Sequence, residues 1–359
     1  MAFNIGLSGL EVAQRQLDTL SNNIANTDTA GFKQSRAQFS NLFQSGALGS
    51  SRSAVGSGVQ LQSVQQNFGQ GALETTGRDL DLGLSGSGFF ALSDGGSQVF
   101  SRAGSFSLDR DGFVVNPQGQ RLQVFDALDG GGFQTGSLSD LQLNTAVSPP
   151  QATSEIDASF NLSAAETPLT AGPIDPTDPS TFNFSNSATI FDSLGNTHQA
   201  SLFVRKVNDT EFDLNVRVDG DDLGTQTIGF DSAGQLTTGQ PLTFPNPFNP
   251  GNGADPINLD YDFTGTTLFG SEFSLNELTQ DGFAPGQVTG LEVSESGVVQ
   301  ARFSNGRTEA QGQVAVASFN SPQGLEQLGD NGFGETFQSG AAQFGAPGTG
   351  LRGEVQSGT

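Results

Sequence analysis

The chain has no cysteine and no tryptophan, one histidine, one tyrosine, and only 14 lysines and arginines among its 359 residues. Without cysteine there is no disulfide, no thiol nucleophile and no thiolate metal site. The absence suits life outside the cytoplasm, where spare thiols mispair. A single imidazole, His198, leaves Ser-His-Asp triads and histidine-based zinc sites hard to build, so the chain is not expected to be an enzyme. Against 14 basic residues stand 38 acidic ones, for a formal charge of -24. That field repels phosphate backbones and anionic head groups, so neither nucleic acid nor membrane insertion is expected. It also opposes self-association, which should therefore be salt-sensitive and driven by apolar contacts. No apolar run is long enough to span a bilayer. The start, MAFNIGLSGL, lacks the basic and apolar stretches of a cleavable secretory signal, so any export is expected to take another route.

What is present suits short strands and many turns. Hydrophobic residues make up 34% and charged residues 14%, leaving the polar surface to Ser, Thr, Asn, Gln and 49 glycines. Thirty phenylalanines spread along the length give every segment something to bury, which argues for a folded chain of two or three domains.

Near the N-terminus, Phe3, Leu10, Ala13, Leu17, Leu20 and Ile24 follow the three-and-four spacing of a coiled-coil seam. The spacing predicts one amphipathic helix ending near Asn26, where SNNIANTDTAGF supplies helix-ending and turn residues. No second heptad segment follows as far as Thr359, and a lone helix of this length is marginal in water. Its partner helix is expected from another chain or from residues beyond these.

Residues 33–70, rich in Gln, Ser and Gly with spaced Phe39, Leu42, Phe43, Val55, Val59, Leu61 and Val64, read as an extended connector. From about Leu73 the pattern becomes alternating strands with turns at Asp94-Gly95-Gly96 and Asp111-Gly112. Prolines at 149, 150, 168, 173, 176 and 179 mark a boundary, and SATIFDSLGNTHQASLFVRK then reads as a hairpin opening a second β unit. Strand alternation resumes after Phe283, without saying whether these strands rejoin the first unit.

Chemical candidates are weak. His198 reads as a surface turn histidine, lacking the orienting partner and pocket a general base needs. Asp109-Arg110-Asp111-Gly112 and Asp219-Gly220-Asp221-Asp222 offer carboxylates for calcium but miss the EF-hand pattern and read as turns. Gly130-Gly131-Gly132 lacks the strand-loop-helix setting of a phosphate cradle. No catalytic residue, metal or cofactor is assigned.

The N-terminal stretch SGLEVAQRQLDTLSNNIANTDTAGFKQSRAQF resembles the signature of the bacterial flagellar rod and hook family. The likeness is carried by Asn22, Asn23, Asn26, Thr27, Gly31, Phe32 and Lys33. A second block, TTGRDLDLGLSGSGFFAL, with Thr76, Gly77, Arg78, Asp79 and Leu80, looks like the start of the inner β domain of that family. The middle, ATIFDSLGNTHQASLFVRK, is similar to the outer β domain of its hook members, and FAPGQVTGLEVSESGVVQARF looks like the return to the inner one.

The resemblance implies a mainly β fold with an outer β domain inserted in an inner one, plus the N-terminal helix and connector. It divides the chain into an assembly helix with the family motif at 1–32, a connector at 33–70, an inner domain from 71–146 and 285–359, and an outer domain at 147–284. Members continue into a C-terminal helix that this chain, ending GLRGEVQSGT, is expected to lack. The implied function is that of a structural subunit of the extracellular flagellar hook, polymerising helically into a flexible curved tube that passes torque from rod to filament. Implied partners are the chain itself, the rod, hook-cap and hook-filament junction proteins, and the flagellar type III export apparatus. Alternatives are a distal rod subunit or, more distantly, a secreted β-rich adhesin or carbohydrate-binding protein.

Overall fold

The computed structural model describes residues 2–42, 56–128, 130–143, 147–170 and 172–359. Phe43 and Val55 of the expected connector, and the domain boundary drawn at residue 146, lie outside them. The fold is mainly β with one long N-terminal helix, α1 (Ala2–Ala25). Two compact units form: one from Met1–Thr145, Thr289–Arg302 and Thr308–Thr359, the other from Ala146–Val288 with Phe303–Arg307.

After α1 come β1 (Ser35–Leu42) and β2 (Gly58–Gln66), an antiparallel pair in which Ser35 faces Gln66 and Leu42 faces Gly58. The residues read as an extended connector thus contain a two-stranded sheet. Its Gln- and Ser-rich strands hide it in the sequence, because their apolar alternation is short, Ala37 with Phe39 and Val59 with Leu61. Such a pair is marginal alone, and α1 lies against it.

The first unit is built on β3 (Leu82–Ser85), β4 (Phe89–Asp94) and β5 (Ser97–Ser101). Successive side chains of a strand point to opposite faces, and both faces of β4 are covered. Phe90 and Leu92 join a core with Leu82, Phe106, Leu122 and Val314, while Phe89 packs with Phe100, Ala317 and Phe333 on the other side. This is why FFAL is a continuous apolar run and not an alternating one. Strands far along the chain close the unit: Val314 pairs with Val124, Phe333 with Phe100, and Val355 with Leu84. The chain after Phe283 therefore rejoins the first unit from Thr289 onward, apart from Phe303–Arg307.

In the second unit, Phe184–Phe191, Thr197–Lys206, Glu211–Val218 and Asp221–Gly229 form a four-stranded antiparallel meander. A five-stranded sheet surrounds Glu155–Ser163. Both contribute to one core, including Ile156, Phe160, Val204, Phe212, Val216 and Phe263.

His198 departs from the expectation of a surface turn residue. It opens strand Thr197–Lys206, its side chain mostly buried, with Nδ1 2.7 Å from Asp219 and Nε2 3.4 Å from Asp192. The carboxylate that satisfies Nδ1 comes from the neighbouring strand's turn, a pairing invisible along the sequence. The first acidic stretch is a turn in which Asp109 accepts from the Asp111 and Phe113 amides, and in the second Asp219-Gly220 turn while Asp221 and Asp222 open the next strand.

Candidate functional site

Two stripes run along α1. The first holds Phe3, Leu10, Leu17, Leu20 and Ile24, between 52% and 82% exposed, with Ala13 also exposed. Leu7, 47% exposed, belongs to the same stripe. It falls four residues after Phe3 and three before Leu10, so the heptad spacing could have found it. Helices seldom leave five or six large apolar side chains in water. Burying each would contribute roughly 1.5–3 kcal/mol, and at physiological salt charge repulsion reaches only about 8 Å. An apolar seam of this size can hold two like-charged copies together.

The second stripe, half-buried, is Ile5, Ser8, Val12, Thr19, Asn23 and Asn26. At 100° per residue it lies about 150° round the helix from the first. This face docks on the β1–β2 pair. Ser8 Oγ accepts from the Val59 amide at 3.3 Å. Asn23 binds the Ser35 backbone twice, donating to its carbonyl at 2.8 Å and accepting from its amide at 2.9 Å. Gly58 has φ 116°, and a Cβ there would stand 2.5 Å from Ser8 Oγ, so glycine is needed where the helix meets β2. The helix thus has a partner within its own chain on one face and, among the described residues, none on the seam. Periodicity missed this face because four of its six residues are polar.

The motif residues after the seam end the helix and tie it down. Asn26 Nδ2 donates to the Asn22 carbonyl at 3.0 Å, and Thr27 Oγ1 to that of Ile24 at 2.9 Å, satisfying carbonyls the last turn leaves free. Gly31 turns with φ 74°, and a Cβ on it would stand 2.4 Å from the Ala103 nitrogen. Phe32 is half-buried, and Lys33 Nζ donates to the Gly69 carbonyl at 2.9 Å. Nearby, Asn331 Nδ2 donates to the Ala30 carbonyl at 2.9 Å, and Phe68 packs edge-on against Phe89 and Phe333. Helix, β1–β2 pair and β core are therefore joined at several points within the first unit.

The second block does a different job. The Thr76 amide donates to the Gly358 carbonyl at 2.7 Å, Gly77 turns with φ 73°, and Ser357 Oγ donates to the Asp79 carbonyl. Arg78 reaches Asp81 at 3.9 Å, and Leu80 packs against the core. This block fastens the start of the β core to the strand Glu354–Ser357 and does not meet the seam.

No helix among the described residues is long and apolar enough to cross a membrane. Glu155, Asp157 and Asp262 bring carboxylate oxygens within 4.8 Å of one another on a sheet surface. Only the parallel register of their strands assembles them, so no local pattern announces the cluster.

Over its full length the chain is 32% identical to the flagellar hook protein FlgE of Escherichia coli, covering 89% of that protein. The chain belongs to the flagellar hook protein family. It is likewise 32% identical to the flagellar hook protein FlgE of Borreliella burgdorferi, with 98% of this chain and 88% of that one aligned. Three family descriptions match in chain order. They are the flagella basal body rod protein at residues 3–33, the flagellar hook protein FlgE/F/G D1 domain at 83–160, and the flagellar basal body protein FlaE D2 domain at 156–283. The crystal structure of Helicobacter pylori flagellar hook protein FlgE2 shares the fold, with a TM-score of 0.59 at 16% identity over 79% of this chain and 99% of that one. The first of these matches contains the whole seam and motif from Phe3 to Lys33. As a hook-family member the chain is a structural, self-polymerising subunit of the flagellar hook.

Proposed function

We propose that the chain builds the hook through the exposed stripe of α1, from Phe3 to Ile24, set against a helix that the described residues of its own first unit do not supply. The observation that carries this is the division of α1 into one face occupied by β1–β2 and one apolar face left open. A seam on one side of a subunit meeting a different surface on the next is a heterologous contact, which propagates into an open helical polymer. The polymer is a flexible curved tube that passes torque from rod to filament. Surfaces rich in Ser, Gln and Gly suit neighbours that slide as it bends, because water replaces each weak contact as it breaks.

On this reading the chain meets rod proteins at one end of the tube and hook-cap and junction proteins at the other. It leaves the cell through the flagellar type III apparatus. The full-length likeness to hook proteins, including the D2 match at 156–283, favours the hook over the distal rod.

The test is the double substitution Leu10→Asp with Leu17→Asp, both on the open stripe. Cells carrying it as their only copy should lack hooks and should not swim, while circular dichroism of the purified chain keeps its β signal. Normal hooks and swimming would contradict the seam.

A further inference from the structure

The first unit contains a cleft of about 510 Å³ between the stretch after α1, the stretch after Phe68 and the β core. Two cations line it, Lys33 and Arg102. Neither forms an ion pair among the described residues. Lys33 spends one of its three donors on the Gly69 carbonyl. Arg102 stacks over the Phe89 ring at 5.4 Å, and its Nε is buried with no partner.

Three carboxylates, Asp28, Glu74 and Asp81, also line the cleft, but among the described residues none forms an ion pair with either cation. Asp81 turns to Arg78. Burial and, to a lesser extent, the positive Arg102 beside it lower the Lys33 amine to about 8. Burial alone brings the Arg102 guanidinium down to about 10. Two partly desolvated cations that repel each other are costly. In a chain with 38 acids and 14 bases, leaving them together unneutralised calls for a reason.

We infer that the cleft holding Lys33 and Arg102 receives a carboxylate side chain from a second copy of this chain. The contact rests on the polymerising function proposed above and adds to it a second, polar site away from the apolar seam. Charge complementarity selects the occupant: a surface with acids in such excess presents a carboxylate to almost any neighbour, and this cleft is a place where it gains two charged donors. The guanidinium supplies planar, paired donors and the ammonium a movable one. A cleft on one copy and an acid on the next is again a heterologous pairing, as an open polymer requires.

The test uses tubes grown in cells that carry the chain as their hook subunit. A carbodiimide activates carboxylates and joins them directly to amines already in contact, with no spacer. The expected result is a crosslinked dimer whose peptide map shows Lys33 joined to an Asp or Glu of another copy. The soluble chain treated alike should give no such dimer, and Arg102→Gln should reduce its yield while tubes still form. Tubes in which Lys33 stays unreacted, couples only to Asp28, Glu74 or Asp81 of its own copy, or couples to a different protein, overturn the inference and leave the seam standing. Absence of the chain from the tubes would sink the seam and this contact together.

Discussion

Asp192 is fully buried in the second unit. Burial by itself pushes its carboxyl up, but this is outweighed by hydrogen bonds from the Asn196 and Asn252 side chains, the Asn196 amide and His198, which hold it well below the usual carboxylate range. The Leu194 amide donates as well, at 2.9 Å. A carboxyl whose folded value lies below its unfolded one stabilises above the unfolded value, and that stability is lost as pH falls. Asp219 and Asp281 are shifted the same way. Thermal unfolding of the intact chain should therefore come at lower temperature as pH drops from about 5 towards 2, and Asp192→Asn should flatten that slope. Asp192→Ala should cost roughly 3 kcal/mol at neutral pH, because it strands buried donors. A pH slope unchanged in Asp192→Asn would show that Asp192 does not carry this linkage. The sequence could announce the turn at Asp192, Gly195 and Asn196, but not that Asp219 and Asn252 converge on it, since a later turn and a loop bring them there.

Among the elements, α1 shows what periodicity can and cannot reveal. Large apolar residues at three-and-four spacing announced the seam, because that spacing returns to one side of a helix. The docking face went unread because Ser8 and Asn23 bind by hydrogen bonds and carry no hydropathy signal. The position of Asn23 in the family motif was the one available clue. Its two bonds to the Ser35 backbone make a specific expectation. Asn23→Ala should raise the exchange rate of the Ser35 amide by about tenfold, the equivalent of about 1.4 kcal/mol of local stability. An exchange rate unchanged by the substitution would mean that Asn23 does not fasten the helix to β1. The strands of the second unit were easier to read. SATIFDSLGNTHQASLFVRK pairs as a hairpin, with Phe191 opposite Thr197, because its turn residues and apolar alternation agree.

For the whole molecule, composition was informative about class, and the tertiary arrangement was largely beyond it. Absent cysteine and a single histidine left few groups for thiol or imidazole chemistry, and the charge of -24 opposed self-association, so assembly was read from the apolar spacing near the N-terminus and the family motif. No local pattern could say that Thr308–Val314 returns to Arg121–Phe125, since that pairing is specified by a shared core and not by neighbouring residues. The cleft of Lys33 and Arg102 was hidden for the same reason: one residue follows the helix and the other follows β5.

The central claim is that α1 holds the polymer together by its open face. Electron cryomicroscopy of hooks built from this chain, at a resolution that shows side chains, tests it most directly. The account predicts that Phe3, Leu7, Leu10, Leu17, Leu20 and Ile24 lie against the apolar face of another helix, while Ser8 and Asn23 keep their bonds to β2 and β1. Tubes in which that stripe faces solvent, with subunits joined through their β surfaces alone, would contradict it.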